Sequence, residues 1–141
     1  MYAINATDVR RYWSAIMENA IREKPQFIKR TRDYMVLTDV KLMENLLSAY
    51  HFTAEKSTEK NGTVALSLNE LDLSASAPTE AEAKKLLGKA ILDYAENFYN
   101  EYVLWSAAPD TKGHIPYVLK ALVFDDSAKI GDAIECRDGK I

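Results

Sequence analysis

Five basic residues lie in two short stretches near the start of the chain. Arg10 and Arg11 close Asn5-Ala6-Thr7-Asp8-Val9-Arg10-Arg11, and Lys29, Arg30 and Arg32 sit within Phe27-Ile28-Lys29-Arg30-Thr31-Arg32-Asp33. Basic groups presented at two nearby points can grip two stretches of one phosphate backbone. Thr7 is expected as a helix N-cap, its hydroxyl accepting a backbone N–H. That places Arg10 and Arg11 in the first helical turn, where the macrodipole disfavours cations. A local conflict of this kind is expected where function demands it, and the same helix start offers backbone N–H groups suited to a phosphate. The competing reading makes all five residues ordinary solvated surface groups.

Other chemistry is thinly represented. Phosphate-binding loops, dinucleotide turns, His-Glu-x-x-His and Gly-x-Ser-x-Gly motifs are all missing from the sequence. Cys136 is the single cysteine and His51 and His114 the two histidines, a set without metal-ligand spacing or a thiol–base pair. Asp125-Asp126 reads as a solvated or capping pair rather than a cation site. No catalysis, metal or cofactor is expected.

Charge is unevenly divided. The 141 residues carry a net −3, but residues 1–50 hold eight Lys/Arg against six Asp/Glu, and residues 51–141 hold ten against fifteen. A mildly basic front and an acidic back suit contact with nucleic acid at one end and with something basic at the other. With 48% hydrophobic and 28% charged residues the chain is globular rather than disordered. The absence of a signal-like start or a membrane-length apolar run predicts a cytoplasmic protein with no membrane partner.

The elements that must position these residues follow from periodicity. Tyr2–Asn5 predicts a short strand. Val9, Trp13, Ile16 and Ala20 recur at helical steps, widened by Tyr12 and Ile21, and Pro25 ends that helix. Phe27-Ile28 and Met35-Val36-Leu37 predict a hairpin. With no Gly or Asn at its tip, a primed two-residue turn is not supported. Thr38 or Asp39 then caps a helix bearing Leu42, Met43, Leu46, Leu47 and Tyr50. The first module, residues 1–52, is therefore β-α-β-β-α. The polar stretch His51–Asn61 predicts a linker. A second folded module, 62–141, follows, giving an α+β protein. It opens either with a hairpin that pairs Leu68 with Leu71 and Leu66 with Leu73 across Asn69-Glu70, the preferred reading, or with a continuous strand carrying a β-bulge there. Thr79 and Glu82 form a capping box. The helix it starts carries Leu87, Ala90, Ile91, Tyr94, Phe98, Tyr102 and Trp105 at three-to-four spacing. A helix over His114–Asp125 and a short turn or helix over Asp126–Ile134 complete the prediction.

The order of these motifs carries a family resemblance. Asn5-Ala6-Thr7-Asp8-Val9-Arg10 resembles the Asn-x-Ser-Glu-Ala-Arg opening of Phd/YefM-type antitoxins. Phe27-Ile28-Lys29-Arg30 followed by Tyr34–Leu37 is similar to that family's Ile-Thr-Arg-x-Gly-Lys-Pro-Val-Ala-Val-Leu hairpin, with Arg30 on the family's arginine. The match covers residues 1–50. It implies a homodimer or higher assembly that binds operator DNA, represses its own operon and neutralises a cognate toxin. Arg10 and Arg30 are then the implied DNA contacts, with Asn5 and Thr7 shaping the helix start. Arg11 and Arg32 join them from charge and position. The hairpin glycine is missing here, with Arg32 or Asp33 near its place, and the family's short tail is replaced by a folded module. Thr79-Glu80-Ala81-Glu82-Ala83 is similar to the strand-to-helix start of HicB-like antitoxin domains.

The acidic C-terminal half is the expected toxin-facing part, with Tyr99, Tyr102 and Trp105 as aromatic anchors. Helical spacing alone would instead assign most of that stripe to the core. Two other functions share the fold: a protein-interaction module without DNA binding, and a small-ligand site between the long helix and the C-terminal helix near Trp105 and Tyr117.

Overall fold

The computed structural model describes residues 2–139. It is α+β and divides into two compact units, Met1–Leu46 and Leu47–Ile141.

The first unit runs β1 (Ile4–Asn5), α1 (Ala6–Arg11), α2 (Trp13–Arg22), β2 (Gln26–Arg30), β3 (Asp33–Leu37) and α3 (Val40–Leu47), the last reaching the unit boundary. Its sheet has the order β1-β2-β3, with β1 parallel to β2 and β2 antiparallel to β3. Val9, Ile16 and Ile28 form the core, with Ile4, Ala6 and Leu37 packed around them. Asp39, not Thr38, caps α3 by accepting a hydrogen bond from the Lys41 N–H at 3.2 Å.

Five expectations for this unit are corrected. Asn5, not Thr7, occupies the N-cap position of α1, with extended backbone and no side-chain capping bond. The helix thus starts two residues early, because Asn5 is held in β1 beside Lys29 and the chain turns directly after it. Arg10 and Arg11 consequently fall in the last turn of α1, where the macrodipole favours cations, and the expected conflict disappears. The predicted single helix also kinks at Tyr12 (φ −114°, ψ 34°), although the Tyr12 N–H still donates to the Asp8 carbonyl at 2.9 Å. Trp13, Tyr12 and Ile21 of the predicted apolar stripe are exposed, leaving Val9, Ile16 and Ala20 to face inward. Finally, the hairpin does close in two residues. Arg30 pairs with Asp33, and Thr31 takes the left-handed conformation (φ 57°) that a glycine would adopt freely.

The second unit comprises β4 (Thr53–Thr58), β5 (Val64–Leu68), β6 (Ser74–Ala77), α4 (Glu80–Asn100), α5 (Tyr102–Ala107), a 3₁₀ turn (Lys112–His114), α6 (Ile115–Phe124), α7 (Ser127–Asp132) and β7 (Glu135–Asp138). The sheet order is β6-β5-β4-β7, with β7 parallel to β4 and the other pairs antiparallel. Phe52, Leu66, Leu71, Leu87, Ile91, Val118 and Ile130 are almost completely buried between the sheet and its helices. Thr79 caps α4 as expected, accepting the Glu82 N–H at 3.2 Å, and Asp126 caps α7 by accepting the Ala128 and Lys129 N–H groups.

Most of the stretch read as a linker is a central strand. Thr53–Thr58 pairs with β5 on one side and β7 on the other, and Ala54 is fully enclosed. Only Thr53 and Ala54 are buried and the strand grows exposed toward Thr58, so its polar composition concealed the pairing. The hairpin after it has a wider loop than expected: Leu66 pairs with Ala75 rather than Leu73, while Leu71 turns into the core from the loop. The long helix ends at Asn100, and a kink at Glu101 (φ −123°, ψ 44°) starts α5. Among the described residues no helix is long and apolar enough to cross a membrane.

Candidate functional site

Four of the six residues singled out for phosphate contact converge on one surface depression. The parallel pairing of β1 with β2 sets Asn5 against Lys29, and the chain then turns into α1 while β2 runs on to the hairpin tip. Asn5, Thr7 and Arg10 from the first corner meet Lys29, Arg30 and Thr31 from the second, around a polar hollow of about 300 Å³ that Ala6 and Asp8 also line. Three cations face one carboxylate there, so the hollow is net positive and suited to an oxyanion.

Arg30 and Lys29 have only weak intramolecular partners. Arg30 reaches Asp33 only at 4.0 Å, with both side chains at least 70% exposed, a pair of little energetic weight. The Lys29 ammonium stands 5.6 Å from the Tyr34 ring centroid. Arg11 and Arg32 are exposed but do not line the hollow: Arg11 follows Arg10 around the helix, and Arg32 projects from the turn. Ala6, Asp8, Lys29 and Thr31 lie outside the contact set expected from sequence, and the β1–β2 register, which no local pattern encodes, brings them in.

Beside the hollow lies an apolar one of about 570 Å³, lined by Val9, Arg10, Trp13, Ile28, Met35 and Val36 among others. Arg10 borders both. Every residue of β3 before Leu37 is exposed, and Tyr12, Trp13, Ile21, Phe27, Met35, Val36 and Val40 are large apolar side chains open to water in this unit.

The aromatic set of the second unit is also on the surface. Tyr99, Tyr102 and Trp105 are all exposed, which corrects the core assignment that helical spacing favours. The kink at Glu101 rotates α5 off the α4 stripe, so none of its six residues is buried. Val103 is 85% exposed and Leu104 59%. Trp105 also lines a cavity of about 230 Å³ with Tyr94, Asn97, Phe98 and Thr111. Tyr117 lies elsewhere, against Tyr50 and Phe52, so the expected Trp105–Tyr117 site is not assembled. The Tyr94 hydroxyl and His114 Nδ1 are 2.6 Å apart at the base of that region, and burial, followed by the Asp72 carboxylate, pushes the Tyr94 hydroxyl's pKa up. Burial likewise raises the Cys136 thiol, with Glu80 adding to the shift, so the one cysteine is not an activated nucleophile. Asp125 ends α6 in the left-handed region and Asp126 caps α7, in line with capping roles for both.

Comparison with known proteins bears on these surfaces. Residues 1–136 match a family described as PHD-like, antitoxin of toxin–antitoxin, RelE/RelB, TA system. The crystal structure of a protein described as the antitoxin part of a candidate toxin/antitoxin system from Syntrophomonas wolfei subsp. wolfei superposes with a TM-score of 0.92. It is 30% identical, and the alignment covers 98% of this chain and 99% of that one. No curated protein matches. The family match spans nearly the whole sequence, and this chain belongs to the PHD-like antitoxins of toxin–antitoxin systems.

Proposed function

We propose that this antitoxin is of the Phd/YefM type: a cytoplasmic, non-enzymatic autorepressor that binds operator DNA as a homodimer through its first unit and neutralises its toxin through its second. The observation that carries the reading is the gathering of Asn5, Thr7, Arg10 and Arg30, with Lys29, around one polar hollow. Arg10 and Arg30 hold the phosphate backbone, Asn5 and Thr7 set the corner that presents Arg10, and Arg11 and Arg32 extend the basic surface on either side. A protomer of net −3 needs the doubling that two-fold symmetry supplies, since a dimer offers two such hollows to two half-sites. The exposed apolar surface of the first unit supports dimerisation there.

Toxin binding falls to the exposed patch of Tyr99, Tyr102 and Trp105, continued by Val103 and Leu104. A helix with no buried residue contributes little to its own fold, and aromatic side chains dominate the energy of protein interfaces. The small-ligand alternative rests on the 230 Å³ cavity beside Trp105, which is below the roughly 300–1,000 Å³ of ordinary ligand sites.

Retention of DNA from the chain's own upstream region, against random DNA of equal length, tests the reading. Wild type is expected to prefer the upstream fragment, and Arg10→Ala and Arg30→Ala to weaken binding about tenfold or more at unchanged circular dichroism. Equal retention of both DNAs would overturn operator binding while leaving the toxin reading to be tested separately.

A further inference from the structure

The second sheet ends in an unguarded edge. β6 is the terminal strand among the described residues, pairing with β5 alone. Its sequence, Ser74-Ala75-Ser76-Ala77, has no lysine or proline of the kind that commonly blunts an edge, and Pro78 stands just beyond its end on the same groove. The Leu68 N–H donates to the Leu73 carbonyl at 2.9 Å, which turns that carbonyl toward β5. Strand alternation then points the N–H groups of Ser74 and Ser76 away from β5, into open space. Beside this edge runs a groove of about 500 Å³ lined by Ser76, Ala77 and, from α4, Glu82, Lys85, Leu86 and Lys89. Those four α4 residues fall at helical steps of three, one and three, forming one outward stripe, and Leu86 is half exposed at its centre.

We infer that the β6 edge and this α4 stripe form a self-association surface occupied by a second copy of the chain. A two-fold axis perpendicular to the sheet joins β6 to the partner's β6 antiparallel, so the outward backbone groups of Ser74 and Ser76 find strand partners. The same axis lays the two α4 helices side by side in opposite directions. Glu82 then faces the partner's Lys89, Lys89 faces the partner's Glu82, and Leu86 of each copy meets at the middle. Glu82 and Lys89 meet opposite charges on an identical copy only in that antiparallel arrangement, the exposed Lys85 beside the axis turning out to water, which is why the occupant is another copy rather than an arbitrary strand. The surface belongs wholly to the second unit. It is therefore additional to the pairing proposed for the first unit and independent of operator binding.

Sedimentation of the full-length chain over a concentration series tests the inference. Ser76→Pro removes an outward donor at an edge position that tolerates proline. Lys89→Glu places like charges opposite each other. Each is expected to raise the concentration of half-association about tenfold or more, with circular dichroism and DNA retention unchanged. The charge-swapped double variant Glu82→Lys/Lys89→Glu restores the paired charges and is expected to recover the wild-type mass. Masses unaffected by both single variants overturn the inference, as does a double variant that remains dissociated. Unaltered mass with lost toxin co-purification overturns it in favour of a toxin strand on the same edge.

Discussion

Gly88 on α4 and Gly131 on α7 meet backbone to backbone. A Cβ on Gly88 would lie 2.7 Å from the Gly131 nitrogen and 2.4 Å from the Ser127 carbonyl oxygen, and a Cβ on Gly131 would lie 2.8 Å from the Lys84 carbonyl oxygen. Those obstacles are backbone atoms and cannot swing aside. The close approach seats Ile130 in the core with no exposure at all. Gly88→Ala is therefore expected to destabilise the protein by about 2–3 kcal/mol, because overpacking must push α7 away and open the seat of Ile130. The urea midpoint of the second unit reads it. A midpoint equal to wild type would mean that the helices part without cost.

The Glu70 carboxylate accepts the backbone N–H of Thr53 at 2.6 Å and also its hydroxyl, and Asn69 Nδ2 donates to the same hydroxyl at 3.0 Å. This small network ties the β5–β6 loop to the start of β4. Thr53 is buried, so removing the carboxylate strands a backbone donor away from water. Glu70→Ala is expected to cost about 1–3 kcal/mol, with the Thr53 amide losing protection against hydrogen exchange. Unchanged protection at that amide would show that another acceptor replaces Glu70.

These cases mark where sequence legibility ended. The Thr79 N-cap, the Asp39 and Asp126 caps and the burial of Leu87, Ile91 and Phe98 were readable because caps and helical faces are encoded within a few residues. β4 was not, because its burial comes from partners far away in sequence, Leu68 and Cys136 opposite Ala54. The kink at Glu101 was likewise hidden: the apolar spacing continues through it from Phe98 to Tyr102 and Trp105, and no Gly or Pro marks the break. In the candidate site, residue types singled out Arg10 and Arg30, but only the parallel register of β1 on β2 brought Lys29 against Asn5.

Thr31 holds φ 57° at the hairpin tip, a conformation costing a β-branched residue about 1–2 kcal/mol. Glycine relieves that strain and loses about 0.5–1 kcal/mol in the unfolded chain's entropy. Thr31→Gly is accordingly expected to stabilise the first unit by about 0.5–1 kcal/mol. A rise in denaturation midpoint at unchanged slope checks it, and a fall would show that the threonine side chain holds the turn by contacts worth more than the strain.

Each arginine of the polar hollow is expected to leave a countable trace in salt. The logarithm of a DNA affinity falls with the logarithm of salt concentration by about 0.9 per neutralised phosphate. A substitution in a homodimer removes two contacts at once, so Arg10→Ala and Arg30→Ala should each reduce the slope by roughly 2, and the double variant by roughly 4. Arg11→Ala and Arg32→Ala, outside the hollow, should change it less. Slopes that fail to separate the two pairs would mean that the protein reads only a diffuse positive field.

The toxin surface proposed on α5 can be tested apart from folding. Val103 is 85% exposed and the helix buries none of its residues, so Val103→Asp removes no core contact. Its effect on stability is expected to stay within about 0.5 kcal/mol. In a toxin interface the same change buries an unpaired carboxylate against apolar atoms, and affinity should fall about a hundredfold or more. Co-expression with the toxin, scored by growth, together with calorimetric titration of the purified pair, measures both halves. Full neutralisation by a stably folded Val103→Asp chain would move the toxin surface away from Tyr99, Tyr102 and Trp105. The aromatic face would then need a different partner to account for its exposure.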